Sequence, residues 1–258
     1  MTTSTTVNKS SSLRLKFHKS VKTSAINNFK PCRSTCNCTE EDNCSRFYDR
    51  IECPPTCKGC QNQHFRTAHA KVEVRDSGAK GKGVYATQFI PADSFVMPFI
   101  AEVISKDEKQ NRRVKYAEQK IDHYFFGSGS YTNDATKYGN DAKYLNHSCA
   151  PNMVALTWSL HGTPFDYKAL GFVADRDIQK GEELTFNYGD DYSTDMVCHC
   201  GAPTCAGIVG QKPKKATKKP SSPPPKPIVK MSPRRSKRTT KAPISFADQF
   251  VDYYLKHI

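Results

Sequence analysis

The eleven cysteines of this chain are concentrated rather than spread. Seven fall between positions 32 and 60, namely Cys32, Cys36, Cys38, Cys44, Cys53, Cys57 and Cys60. Three more, Cys198, Cys200 and Cys205, form a short knot far downstream. Cys149 stands alone in the stretch YLNHSCAPN, 89 residues after Cys60 and 49 before Cys198. The opening stretch, MTTSTTVNKSSSLRLKFHKSVKTS, lacks the apolar core of roughly 7–15 residues that a secretory signal needs, so none is expected. Its acid-poor, hydroxyl-rich composition is also that of a mitochondrial presequence. Without a secretory signal the thiols are expected in a reducing compartment, where dense cysteine spacing means metal more often than disulfides.

The spacing sets the metal arithmetic. Three thiolates in the late knot cannot close the tetrahedral shell of a structural zinc, so a fourth ligand is required. Cys149 is the candidate outside the two clusters; His199 is a rival, although it sits between two ligands. The alternative is that Cys149 is a small buried hydrophobe. The seven early thiolates serve two zinc ions if one sulfur bridges them, against one zinc with spare thiols, or disulfides. Residues 32–60 show little hydrophobic periodicity, so metal is expected to substitute for a core there.

The formal net charge of +14 suggests a nucleic-acid binder until it is divided by region. Residues 1–31 carry six Lys/Arg and no acid, and residues 211–243 carry twelve and no acid. Residues 32–210 hold 20 basic and 23 acidic groups. The folded middle is therefore faintly acidic, which argues against a basic DNA-reading core and allows a basic peptide as partner. The tails remain available for phosphate contact. No apolar run is long enough to cross a membrane.

Organisation follows from composition. Residues 1–31 read as a disordered basic arm. From about Lys71 come short β-like runs, KVEVRD, GVYATQFI, SFVMPFIAEVI, MVALTWSL, YKALGFVADRDI and ELTFNY. One helix, KDEKQNRRVKYAEQKI, interrupts them. A compact, mostly β domain is expected. Residues 211–243 are a disordered Pro/Lys-rich linker, and residues 244–258 an amphipathic helix with Phe246, Phe250, Val251, Tyr254, Leu255 and Ile258 on one face.

Five segments in order, AKGKGVYAT, HYFF, DATKYGNDAKYLNHSCAPN, RDIQKGEELTFNYG and CHCGAPTCAGIVG, resemble a SET-domain protein lysine methyltransferase. The likeness runs over about residues 32–210. It implies a cysteine-rich AWS segment at 32–70, a SET domain at 71–191 with a knot-like C-terminal threading, and a post-SET zinc knot at 192–210. In such proteins the NHSC cysteine joins the post-SET cysteines on zinc, which gives three structural zinc ions in all. The run Cys44-x8-Cys53-x3-Cys57-x2-Cys60 resembles the NSD-type subfamily that modifies histone H3 at lysine-36.

The resemblance also implies S-adenosylmethionine as donor and a histone tail as acceptor. Gly81, Lys82 and Gly83 match the cofactor loop, and Asn146 and His147 the pair that contacts the donor. Tyr124 matches an aromatic beside the methyl-transfer channel, Tyr188 the catalytic tyrosine, and Phe186 a ring lining the lysine channel. A phenyl ring at 186 leaves room for di- or trimethylation. Three segments depart from the pattern: FIAEV after the second strand, Lys143 in place of arginine, and the polar GSGSYTND. Lys82 also stands where an aromatic is usual. The expected setting is the nucleus and chromosome, with a monomer acting on nucleosomes. The alternative is a SET-fold chromatin-binding protein with little or no catalysis.

Overall fold

The computed structural model describes residues 15–21, 25–30, 38, 45–57, 60–189 and 196–211. The linker and C-terminal helix expected from sequence lie outside these residues, as do Cys32, Cys36 and Cys44. In chain order the elements are β1 (Lys16–Phe17), α1 (Ser45–Tyr48), β2 (Val72–Asp76), β3 (Lys82–Ala86), β4 (Phe95–Pro98) and β5 (Ala101–Ser105). There follow α2 (Lys106–Glu118), β6 (Phe125–Ser128), β7 (Tyr131–Gly139), β8 (Asn146–His147), β9 (Met153–Trp158), β10 (Ala169–Ala174) and β11 (Glu183–Phe186). The protein is thus mostly β. No helix among the described residues is long and apolar enough to cross a membrane.

Three sheets share the work, with strand orders β1-β5-β7-β6, β4-β10-β9 and β2-β3-β11-β8. Every residue of β10 is buried, as its apolar run ALGFVA requires of a strand covered on both faces. Its neighbours Val96, Phe99, Leu145, Met153, Leu184 and Phe186 complete one core cluster. Full burial of each such side chain contributes about 1.5–3 kcal/mol. The third sheet positions the site: β11 lies between antiparallel β3 and parallel β8.

One feature differs from the sequence expectation. The basic arm, expected to be disordered, supplies β1, which pairs in parallel with β5. Leu15, Phe17 and Val21 pack on the second core cluster, and Phe17 meets the Tyr167 ring edge-on at 5.5 Å. A low average apolar content hid this short alternating pattern. Residues 25–30 continue along the β9–β10 loop, where buried Asn27 exchanges backbone hydrogen bonds with Thr163 and Gly162.

The polar segment GSGSYTND forms the hairpin of β6 and β7, turning at Gly129 with φ 58°. Thr132, Asn133 and Asp134 are buried there, each at most 2% exposed. Two partners of Asp134 come from α2, and that of Asn133 Oδ1 is the Tyr167 hydroxyl. That helix carries little apolar surface and buries only Tyr116. Its N-cap Ser105 accepts a hydrogen bond from the Glu108 amide. Arg112 then donates to Glu102 and Asp134, at 2.8 Å each, and to Glu108 at 2.9 Å, while the Tyr116 hydroxyl donates to Asp134. Lys16 of the arm closes the network on Glu102. Burial pushes the Asp134 and Glu102 carboxyls up, but the hydrogen bonds and cations around them outweigh it and hold both below their ordinary range.

Arg112→Ala would leave buried Asp134 without a cation and Glu102 with Lys16 alone, an expected loss of about 3–5 kcal/mol by urea unfolding at pH 7. Because these carboxyls have depressed folded pKa values, their contribution is present above about pH 4 and is lost as pH falls through the depressed values. The gap between variant and wild type should therefore narrow at pH 3.

Candidate functional site

The loop AKGKG turns at Gly81, whose φ of 73° favours glycine, and enters β3 at exposed Lys82. Gly83 is constrained differently. A Cβ there would meet the Ser77 hydroxyl, Glu183 Oε1 at 2.6 Å and Asn146 Nδ2 at 3.1 Å. Those three side chains form one cluster. Asn146 Nδ2 donates to Lys82 O at 3.0 Å and to Glu183 Oε1 at 2.9 Å. Ser77 donates to the same carboxylate oxygen at 3.0 Å, and Lys80 forms an ion pair with the other. Burial raises the Glu183 pKa, but Lys80, Asn146 and Ser77 together hold it below the usual range. With both amide hydrogens spent, Asn146 has its carbonyl oxygen to offer a ligand as an acceptor. Glu183 and Lys80 were not picked out from sequence. Their signal lay inside the GEELTFNYG and AKGKG segments, but only the β3–β11 pairing shows that they meet.

Parallel pairing of Asn146 with Thr185 and His147 with Phe186 sets this cluster beside the aromatic end of β11. Asn152, in the same NHSCAPN stretch, locks the pairing: it donates to Glu183 O at 2.8 Å and accepts from Thr185 N at 2.9 Å. The Tyr188 hydroxyl donates to Leu145 O at 2.8 Å. Its proton is thereby directed at the backbone, leaving oxygen lone pairs as the acceptor face of the phenol. Phe186, 5% exposed, packs on Phe172 and Tyr188 at 4.8 Å each and on Phe126 at 6.1 Å. Tyr124 stands edge-on to Tyr144 at 5.7 Å, and burial raises its phenol pKa. The two unusual lysines converge there as well. Lys82 and Lys143 each place their ammonium 5.1 Å from the Tyr144 ring, and Lys143 lies 5.6 Å from that of Tyr124.

The knot brings Cys149, Cys198, Cys200 and Cys205 together, with all four sulfurs within 4.8 Å of one another. His199 is exposed and outside that group. Four thiols this close cannot all ionise unaided. Burial pushes Cys198 up to about 12, whereas backbone hydrogen bonds outweigh burial at Cys200 and hold it down at about 6. A divalent cation at their centre is what lets all four carry charge, so the donor set fits zinc. Upstream, Cys38, Cys53 and Cys60 form a second such group, and buried Cys57 adjoins it in the same cluster. Asn62 supports this loop by donating to Ile51 O, and Gln63 by donating to Pro54 O and Cys57 O.

Residues 81–189 match the family described as SET domain. Among curated proteins, one from Coccidioides immitis named "Histone-lysine N-methyltransferase, H3 lysine-36 specific" is 37% identical over 190 residues, covering 70% of this chain and 18% of that protein. Proteins of the same name from Gibberella zeae and Yarrowia lipolytica are 37% and 36% identical, covering 72% and 68% of this chain and 21% and 23% of theirs. This chain thus spans about a fifth of the length of these relatives. A solved structure titled "ctPRC2 in an autoinhibited conformation bound to S-adenosylmethionine" is 30% identical with a TM-score of 0.48, covering 56% of this chain and 21% of that one. The loop, the β8–β11 pairing and the aromatic end of β11 all lie within the matched span, and this chain carries a SET domain over residues 81–189.

Proposed function

We propose that the protein is an S-adenosylmethionine-dependent histone lysine methyltransferase that acts on histone H3 in nucleosomes, at lysine-36. The observation that carries this reading is the Tyr188 phenol, its proton held by Leu145 O, beside the apolar wall of Phe186, Phe172 and Phe126. The donor supplies an electrophilic methyl group on a sulfonium centre. Gly81, Lys82, Gly83, Tyr124, Asn146, His147 and Tyr188 form its binding face, with the Asn146 carbonyl accepting from a ligand N–H. The lysine amine must be neutral to attack, yet a free lysine has a pKa of about 10.4. The phenyl rings favour the neutral form by desolvation, and the Tyr188 oxygen accepts one amine hydrogen, which aims the nitrogen lone pair. The bound donor would supply its methyl to that nitrogen, with the C–S electron pair staying on sulfur, and the surplus amine proton would leave to water. Phe186 offers no hydroxyl to hold a water in the channel, so two or three methyl groups fit.

The flanking segments complete the reading. Residues 32–70 are an AWS segment holding two zinc ions on its seven cysteines. Residues 192–210 are a post-SET knot in which Cys198, Cys200 and Cys205 hold a third zinc with Cys149. These zincs are structural, and their binding contributes folding free energy. The basic tails suit contact with nucleosomal DNA, and the setting is nuclear chromatin, with the protein acting as a monomer.

Nucleosomes incubated with labelled donor should gain label on histone H3, and Tyr188→Phe should lower kcat by about 10²-fold or more while the donor still binds. No label from the wild type, with donor binding and zinc content normal, would leave a non-catalytic SET-fold binder. Phe186→Tyr should shift the product toward monomethyl-lysine by mass spectrometry. Glu183→Ala removes the carboxylate that orients Asn146 and should weaken donor binding about tenfold by calorimetry.

A further inference from the structure

His147 touches two parts of the site that the reading above treats separately. Its Nδ1 lies 3.2 Å from the Tyr188 backbone nitrogen, and its Nε2 3.5 Å from Cys149 Sγ. The residue is 6% exposed, and its ring stands edge-on to the Tyr188 ring at 5.4 Å. A backbone N–H can only donate, so Nδ1 must be the nitrogen with the lone pair, and the proton sits on Nε2. That N–H then faces Cys149 Sγ, which accepts best as a thiolate, the form in which a zinc ligand is held. One tautomer satisfies both contacts; the other sets an N–H against an N–H at Tyr188.

We propose that His147 is a positioning residue that couples the four-cysteine centre to Tyr188. The ligated Cys149 thiolate fixes the tautomer and tilt of the ring. The ring in turn anchors the Tyr188 amide, and with it the direction from which the phenol enters the channel. The metal centre thereby acts on the catalytic tyrosine through a single imidazole, in addition to tying two distant segments together. The inference rests on the reading of Tyr188 as the catalytic tyrosine, but both contacts can be tested without methyl transfer.

The test uses two variants, each mimicking one end of the imidazole. His147→Asn puts an amide oxygen at the level of Nδ1 and nothing at Cys149. His147→Gln carries its amide to the level of Nε2 and removes the Nδ1 acceptor from the Tyr188 amide. Two readouts are taken on the zinc-loaded full chain: zinc release to a chromophoric chelator, and hydrogen exchange of the Tyr188 amide by NMR. His147→Asn should release zinc from the Cys149 centre about tenfold faster or more and keep Tyr188 protected. His147→Gln should keep its zinc and exchange the Tyr188 amide about fivefold faster. Cys205→Ser weakens the centre without touching His147 and should also deprotect Tyr188. Each variant serves as a folding control for the other. The proposal is overturned if both His147 variants move both readouts together, or if Cys205→Ser leaves Tyr188 protected. A wild type that shows the crossed pattern but methylates nothing would count against the proposed function alone.

Discussion

Two residue pairs of parallel ladder, Asn146 with Thr185 and His147 with Phe186, carry the rest of the site. Parallel strands cannot be joined by a tight turn, so the chain must travel out and back before β11 can lie beside β8. Residues 148–182 do this, and they build β9 and β10 on the way. The short contact therefore closes only when the central sheet is in place. Asn152 holds it with hydrogen bonds on either side of Leu184, where side-chain packing alone would leave a two-residue strand free to slip. A site assembled from contacts so far apart in sequence is expected to form late in folding.

What could be read in the sequence was chemistry fixed by spacing along the chain. Cys198, Cys200 and Cys205 demanded a fourth ligand, and Cys149 is in fact the cysteine that meets them. The helix starting at Lys106 and most of the strands follow from periodicity, and Asn146 and Phe186 lie on the paired strands β8 and β11. What could not be read was polarity turned inward. Nothing local announces the burial of Thr132, Asn133 and Asp134, because Arg112 and Tyr116 reach Asp134, and Tyr167 reaches Asn133 Oδ1, from elsewhere in the chain. Glu183 was hidden for a related reason: a carboxylate within a motif says nothing of which amide it will orient.

The same inward polarity changes how the charge of the folded middle should be understood. Residues 32–210 are slightly acidic by count. Yet Glu52, Glu102 and Asp134 are buried, and Glu183 is engaged by Lys80 and Asn146. Glu52 is the extreme case: burial lifts its pKa to about 7 despite Arg66, and one carboxyl oxygen has no hydrogen-bond partner. Acids that are internal or neutralised do not project a field. Their partners Arg66, Arg112 and Lys80 are spent in the same contacts, so the field of the folded middle comes from the charges left at its surface rather than from the residue count.

The cysteine spacing would tempt anyone trimming the chain to begin at residue 32. In the sheet order β1-β5-β7-β6, that cut removes the strand that flanks β5. It takes away the Phe17 ring from Tyr167, the Lys16 ammonium from Glu102, and the contacts His18 and Ser20 make with Val103 and Ser105. The segment Ala101–Ser105, with the apolar face of Val103 behind it, would become an open ribbon edge able to recruit the same edge of another copy. The described residues of the arm, 15–21, thus cover the outer edge of β5, and a chain cut at residue 32 would leave that edge without its strand.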